Sequence, residues 1–186
     1  PAQVEEMCRQ IPGVYLANIN SATQVVISGT REALEDAEQA LVREGALSVK
    51  RLAADSPLHC PLMSGVKEIM EKSLDGMVIT APKIPIVSHT SPELLTSMEQ
   101  VRNVLCNQFT EQVLWRDAVN FMFDRGVREF IEIGPSDMLS KLVKWIQRSA
   151  AVYTASEAMG AQRGCAIPGK ESISLNRAEE SMDVQT

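Results

Sequence analysis

Residues 14–28 limit the possible folds more than any other part of the chain. Val14-Tyr15-Leu16-Ala17-Asn18-Ile19-Asn20 and Gln24-Val25-Val26-Ile27-Ser28 are two β-prone runs, separated only by Ser21-Ala22-Thr23. Two such runs with so short a link predict an antiparallel hairpin. A helical stripe precedes it. Val4, Met7, Cys8 and Ile11 share one side of residues 3–10, and Pro12-Gly13 breaks the pattern. A second stripe follows, with Thr30 as cap, then Ala33, Leu34, Ala37, Ala40 and Leu41, and Gly45 as the stop. Residues 47–52, Leu-Ser-Val-Lys-Arg-Leu, alternate and predict a third strand.

Residues 1–53 therefore spell α-β-β-α-β. A ferredoxin-like unit is β-α-β-β-α-β, so the match is complete except for the first strand. In that topology the first strand is central, and the unit without it is expected to be unstable alone. We assign residues 1–54 to this partial small unit, 55–157 to a larger α/β part, and 158–186 to a poorly ordered tail.

The larger part is read from helical and strand periods. Leu62, Val66, Ile69, Met70 and Ser73 share a face of a predicted helix over 62–74. Residues 84–88 predict a short buried strand, with Pro85 at an edge or a strand start. A long helix is predicted over 93–113, with Val101, Leu105, Gln108, Phe109 and Gln112 on one stripe, and another over 115–123, closed by Gly126. Residues 127–133 alternate into a strand, Gly134-Pro135-Ser136 turns, and 138–146 is helical. This order is an α/β pattern with parallel strands. From residue 158 the periodicity fades.

Composition excludes several function classes. Apolar residues are 45% of the 186, enough for a core, but aromatics are only 4%, so aliphatic residues must fill it. A net charge of −6 argues against nucleic acid as the main partner, since phosphate binding needs a basic face. Cys8, Cys60, Cys106 and Cys165 fit no CxxC spacing, and two histidines give no cluster, so no metal site is expected. Unpaired thiols point to a reducing, cytoplasmic compartment. No apolar run has transmembrane length, so no membrane association is expected. Pro1-Ala2-Gln3-Val4-Glu5-Glu6 is polar and acidic, unlike a signal peptide. Without an initiator Met, the sequence reads as a piece of something longer.

Chemistry concentrates at Asp55-Ser56-Pro57-Leu58-His59-Cys60-Pro61-Leu62-Met63. Prolines on both sides of His59 stop regular structure and remove two backbone donors. A histidine on such a loop, after a strand and before a helix, suits a general base; the alternative is a surface or structural histidine. A base needs a nucleophile and a third group to hold its ring. A G-x-S-x-G elbow is absent; Ser64-Gly65 and Ser28-Gly29 lack the leading glycine. Cys60 is adjacent to His59, and neighbouring side chains seldom face each other productively. Gln108 replaces an apolar residue on its helix stripe, so it is either the orienting group or a helix-capping glutamine. Asn18 and Asn20 read as structural partners of the following turn. His89 follows a strand at the end where α/β sites gather, as a cleft residue or a loop anchor. Gly134-Pro135-Ser136 opens a helix that could receive an anion, but it lacks the glycines of a phosphate loop and reads as a turn.

Several stretches together resemble the malonyl-CoA:acyl carrier protein transacylases and the acyltransferase domains of polyketide synthases. They are Asn18 to Gly29, Pro57-Leu58-His59-Cys60-Pro61-Leu62-Met63, Ile84-Pro85-Ile86-Val87-Ser88, Gln108 with Trp115, and Gly126-Val127 through Glu132-Ile133-Gly134-Pro135. Order and spacing agree over residues 3–155. The resemblance implies an α/β-hydrolase-like acyltransferase subdomain, here partial, with an inserted ferredoxin-like subdomain. It implies malonyl transfer from coenzyme A to a serine and on to an acyl carrier protein, in fatty acid or polyketide biosynthesis. Coenzyme A thioester is then substrate, and no resident cofactor is implied. His59 matches the histidine that activates the serine, and Gln108 the residue whose backbone carbonyl fixes that ring. The family's N-terminal half, with its serine, oxyanion donor, carboxylate-binding arginine and first ferredoxin strand, has no counterpart here, so the fragment alone should be inactive. Ser56-Pro57-Leu58 is neither the usual malonyl nor the methylmalonyl signature of polyketide acyltransferases. A carrier-protein acyl hydrolase, a malonate decarboxylase acyltransferase subunit and a non-catalytic docking module are the alternatives.

Overall fold

The computed structural model describes residues 1–164. Helix α1 (Ala2–Gln10) packs on a hairpin of β1 (Val14–Ile19) and β2 (Val25–Gly29). The hairpin is antiparallel, as its short link predicts. Helix α2 (Arg31–Arg43) follows, and the Thr30 Oγ1 accepts from the Ala33 amide at 3.3 Å. These elements close on Met7, Cys8, Val14, Ala33 and Ala37, all buried. Small residues on α2 let it approach the strands closely. Backbone crowds backbone where the hairpin ends meet: a Cβ at Gly29 would lie 2.2 Å from the Gly13 carbonyl oxygen.

A 3₁₀ turn (Pro61–Met63) leads into α3 (Ser64–Asp75). After a loop come β3 (Ile86–Val87) and β4 (Leu94–Leu95), then α4 (Met98–Asn107), α5 (Trp115–Asp124), β5 (Glu129–Glu132), α6 (Met138–Ile146), β6 (Ala151–Thr154) and α7 (Ala155–Gly164). Strands β5 and β6 pair in parallel around α6, the arrangement the helix–strand order predicts. Their core is Val119, Val143 and Ala150, with Trp115, Phe123, Phe130 and Ile146 against it. Arg102 ties α4 to α3. Its guanidinium donates to the Leu74 carbonyl at 2.8 Å and pairs with Asp75, satisfying the carbonyl end of α3.

Four expectations change. Residues 47–52 form no strand; Leu47 and Leu52 are exposed, and no ladder among the described residues includes them. In the β-α-β-β-α-β order the last strand pairs with the first, not with the hairpin. Alternation without a neighbour leaves its donors and acceptors to water. Of residues 84–88 only two join a ladder, antiparallel to β4, and Ile84 and Ile86 are exposed rather than buried. The long helix over 93–113 is shortened at both ends. Leu94 and Leu95 belong to β4, and α4 begins after Ser97, whose Oγ accepts from Gln100 N (3.2 Å) while the Gln100 side chain accepts from Ser97 N (3.1 Å). Over the predicted helix 62–74 the buried residues are Met63, in the 3₁₀ turn, and Leu74, on α3, whereas Leu62 and Ile69 are exposed. Helix α7 crosses the start of the stretch 158–186 expected as a poorly ordered tail; residues 165–186 lie outside the described residues. Strand β6 has no counterpart in the sequence reading.

Candidate active site

The His59 loop is pinned from below by Cys60. Its side chain is buried, and the Sγ–H donates to the Pro57 carbonyl at 3.0 Å. Ser28 at the end of β2 donates from Oγ to the Leu58 carbonyl at 2.7 Å, tying the loop to the hairpin. Burial pushes the Cys60 thiol above its ordinary pKa, and a backbone hydrogen bond from Leu62 only partly offsets this. Cys60 is therefore an anchor and not a thiolate nucleophile.

His59 itself has φ +62°, the only non-glycine residue with positive φ among the described residues. Two bonds hold it there. Its backbone N–H donates to the Phe109 carbonyl at 2.8 Å, and its ring Nδ1 lies 2.7 Å from the Gln108 carbonyl oxygen. A carbonyl oxygen can only accept, so Nδ1 carries the proton. The neutral ring then presents a bare Nε2 lone pair, the form a general base requires.

The sequence order explains why that carbonyl is free. Gln108 caps the C-terminus of α4, and the last carbonyls of a helix have no intrahelical donor. The Gln108 side chain turns back instead, its Nε2 donating to the Leu105 carbonyl at 3.2 Å. Gln108 thus orients His59 through its main chain while its amide caps its own helix.

Residues 108–114 continue as a strap that gathers three parts of the molecule. One end meets His59. In the middle, Val113 N donates to Ala17 O and Ile19 N donates to Val113 O, each at 2.8 Å, against the outer edge of β1. At the far end Leu114 N donates to His89 O at 2.7 Å. His89 is half-buried. Burial pushes its pKa below the ordinary value, the proximity of His59 lowers it further, and Glu111 opposes both. Ser88, buried beneath, accepts from Thr90 N (3.3 Å) and Ser91 N (3.2 Å) and shapes the His89 loop.

Beyond the strap lies a cleft of about 430 Å³ lined by Thr90, Ser91, Glu93, Asn103, Glu111 and Gln112 among others. It carries two carboxylates and no cationic side chain, the wrong sign for a phosphate or a free carboxylate. Gly134-Pro135-Ser136 is no anion site either. Glu132 already occupies the N-terminus of α6, accepting from Ser140 N at 2.8 Å and Leu139 N at 3.3 Å. Asn18 bridges to Val113 through its backbone, and the turn after Asn20 is closed by Ser21, whose Oγ accepts from Thr23 and Gln24. Among the described residues no three His, Cys, Asp or Glu side chains gather as for a metal. None of the described helices is long and apolar enough to cross a membrane.

The Acyl transferase domain family matches residues 2–167. The chain belongs to that family. Its relatives include the malonyl CoA-acyl carrier protein transacylases of Bacillus subtilis, 33% identical over 144 residues (77% of this chain), and Escherichia coli, 33% over 129 residues (69%). The chain covers 45% and 42% of those two proteins, less than half of each. Among solved structures, a malonyl-CoA:acyl carrier protein transacylase from Xanthomonas oryzae pv. oryzae superposes with a TM-score of 0.83 at 29% identity, over 89% of this chain and 55% of that one. A malonyl-transacylase solved with a type II polyketide synthase acyl-carrier protein gives 0.78 at 31%, over 83% and 50%. The chain shares their mixed α/β fold.

Sequence reasoning missed the positive φ of His59, the Ser28 tether and the middle of the strap. Only the tether had a local signal, a polar residue closing an apolar strand.

Proposed function

We propose that this chain is the histidine-bearing part of a malonyl-CoA:acyl carrier protein transacylase. The observation that carries the reading is the Nδ1–H bond from His59 to the Gln108 carbonyl, which leaves Nε2 as a base. The serine would come from a part of the enzyme outside these residues. In the first half-reaction Nε2 takes the serine proton as Oγ attacks the thioester carbonyl of malonyl-CoA. The tetrahedral adduct collapses, the C–S bond breaks, and the departing thiolate recovers the proton from Nε2. The second half-reaction runs the same steps in reverse with the phosphopantetheine thiol of the carrier protein. Gln108 keeps the ring in one tautomer throughout, so the proton always moves at the same nitrogen.

The finer architecture follows the same reading. The hairpin, α1 and α2 form a ferredoxin-like insert lacking its first strand, and the remainder is part of an α/β-hydrolase-like subdomain. What supports this is a matched pair of unfilled positions. Among the described residues β2 has a ladder partner on one side only, and residues 47–52 alternate but join no ladder. One strand between them would serve both. The exposed Ile131 and Ile133 of the β5 region, and the exposed Val78 and Ile84, are apolar surface for the rest of the large subdomain.

The test is acyl-enzyme formation. In the complete enzyme, malonyl-CoA should load malonyl onto the serine, read by intact-protein mass. His59→Ala should slow loading by about 10²–10⁴-fold. Loading at the unchanged rate overturns the assignment of His59 as base.

A further inference from the structure

We propose that Gln112 is a positioning residue for His59, clamping the strap to the β1 bulge. The proposal rests on the reading of His59 as the base, but its geometry is independent of that reading. The Gln112 Nε2 donates to the Leu16 carbonyl at 2.8 Å, across 96 residues of sequence. Leu16 opposes Ile27 and Asn18 opposes Val26, so Ala17 is an extra residue in β1. In a regular strand the carbonyls of residues 16 and 17 point to opposite edges. Here both accept from the strap, Ala17 O from Val113 N and Leu16 O from Gln112 Nε2. A bulge re-aims backbone groups in this way, and the glutamine amide is what reaches the second carbonyl.

The segment between Gln112 and the His59 contacts is a closed turn. Asn107 O accepts from Thr110 N (2.9 Å), Glu111 N (3.0 Å) and Thr110 Oγ1 (3.1 Å). Such a turn transmits displacement with little slack. Fixing Gln112 therefore fixes the carbonyls of Gln108 and Phe109, the two acceptors that hold His59. The ring orientation of His59 then depends on a bond to β1, in the hairpin unit, and not only on α4.

Two imidazoles, His59 and His89, give all the histidine signals of the chain, so side-chain ¹⁵N–¹H correlation spectra of the full chain read the tautomer directly. Wild-type His59 should show the proton on Nδ1. Gln112→Ala removes the clamp. Gln112→Glu keeps the size but offers the Leu16 carbonyl no donor, and covers the case in which the alanine variant folds poorly. In both, the Nδ1–H signal should weaken and an Nε2–H signal should grow. Gln112→Lys, which restores a donor, should bring the wild-type pattern back. A folded Ala or Glu variant, judged by circular dichroism, with an unchanged His59 tautomer overturns the proposal. The spectra need no substrate. Unimpaired acyl loading by His59→Ala would instead sink the base assignment and leave the clamp standing.

Discussion

Replacing His59 by alanine and by glycine should rank the two variants in the opposite order from most sites. Both substitutions remove the Nδ1 bond to Gln108 and so lose a similar amount, about 1 kcal/mol. They differ in the backbone. At φ +62° an alanine Cβ still crowds the following carbonyl oxygen, a strain of about 1–2 kcal/mol that glycine avoids. Against that, glycine loosens the unfolded chain and loses about 0.4–1 kcal/mol. The balance favours glycine by about 0.5–1 kcal/mol, whereas in the middle of α2 the same exchange would favour alanine by a similar amount. Urea unfolding, followed by the fluorescence of Trp115 and Trp145, reads the difference. With a slope of about 2 kcal/mol per molar, the His59→Gly midpoint should lie about 0.25–0.5 M above that of His59→Ala. An alanine midpoint equal to or above the glycine one would refute the strained geometry.

Gly29→Ala should be among the most damaging single changes in the hairpin. Its Cβ would meet the Gly13 carbonyl at 2.2 Å and break the Thr30 N to Gly13 O bond of 3.1 Å, and backbone cannot step aside as a side chain can. A loss of about 2–4 kcal/mol, or about 6–12 °C in Tm, is expected in a thermal melt; a drop under about 2 °C would contradict it. Glu132→Gln should flatten the acid side of the stability curve. Desolvation pulls the Glu132 pKa up, but the bonds from Ser140, Leu139 and Ser136 outweigh it and hold the carboxylate below its ordinary value. A group depressed in the folded state adds stability above its unfolded pKa and loses it as pH falls through the folded one. Wild type and variant should therefore diverge at neutral pH and converge as the pH is taken well below 4. Parallel curves across that range would remove Glu132 from the account.

What could be read without coordinates was local. The hairpin, α2 with its Thr30 cap, α5 and α6 follow from periods and stops that lie within a few residues of one another. The missed strand pairings are long-range. Residues 47–52 carry a strand pattern, yet a ladder needs a neighbour that periodicity cannot supply. Strand β6 is four residues with no flanking turn signal, and exists because β5 lies beside it. The site divides in the same way. His59 stood out by its prolines and Gln108 by its place on an apolar stripe. Which atom of Gln108 does the work depends on where α4 ends, and the Ser97 box that moved its start was visible as Ser-x-x-Gln. The bulge at Ala17, and with it the Gln112 contact, leaves no local trace.

The one-sided pairing of β2 has a consequence for handling the chain. Val25, Val26 and Ile27 stand in a five-residue strand with no proline and no charge, so it lacks two of the devices by which sheets discourage unwanted neighbours. A second molecule offering its own β2 meets a complementary row of donors and acceptors. Concentration, more than temperature, should then set how long preparations stay clear. A short peptide able to lie along that edge would act as a solubilising agent before it acted as anything else.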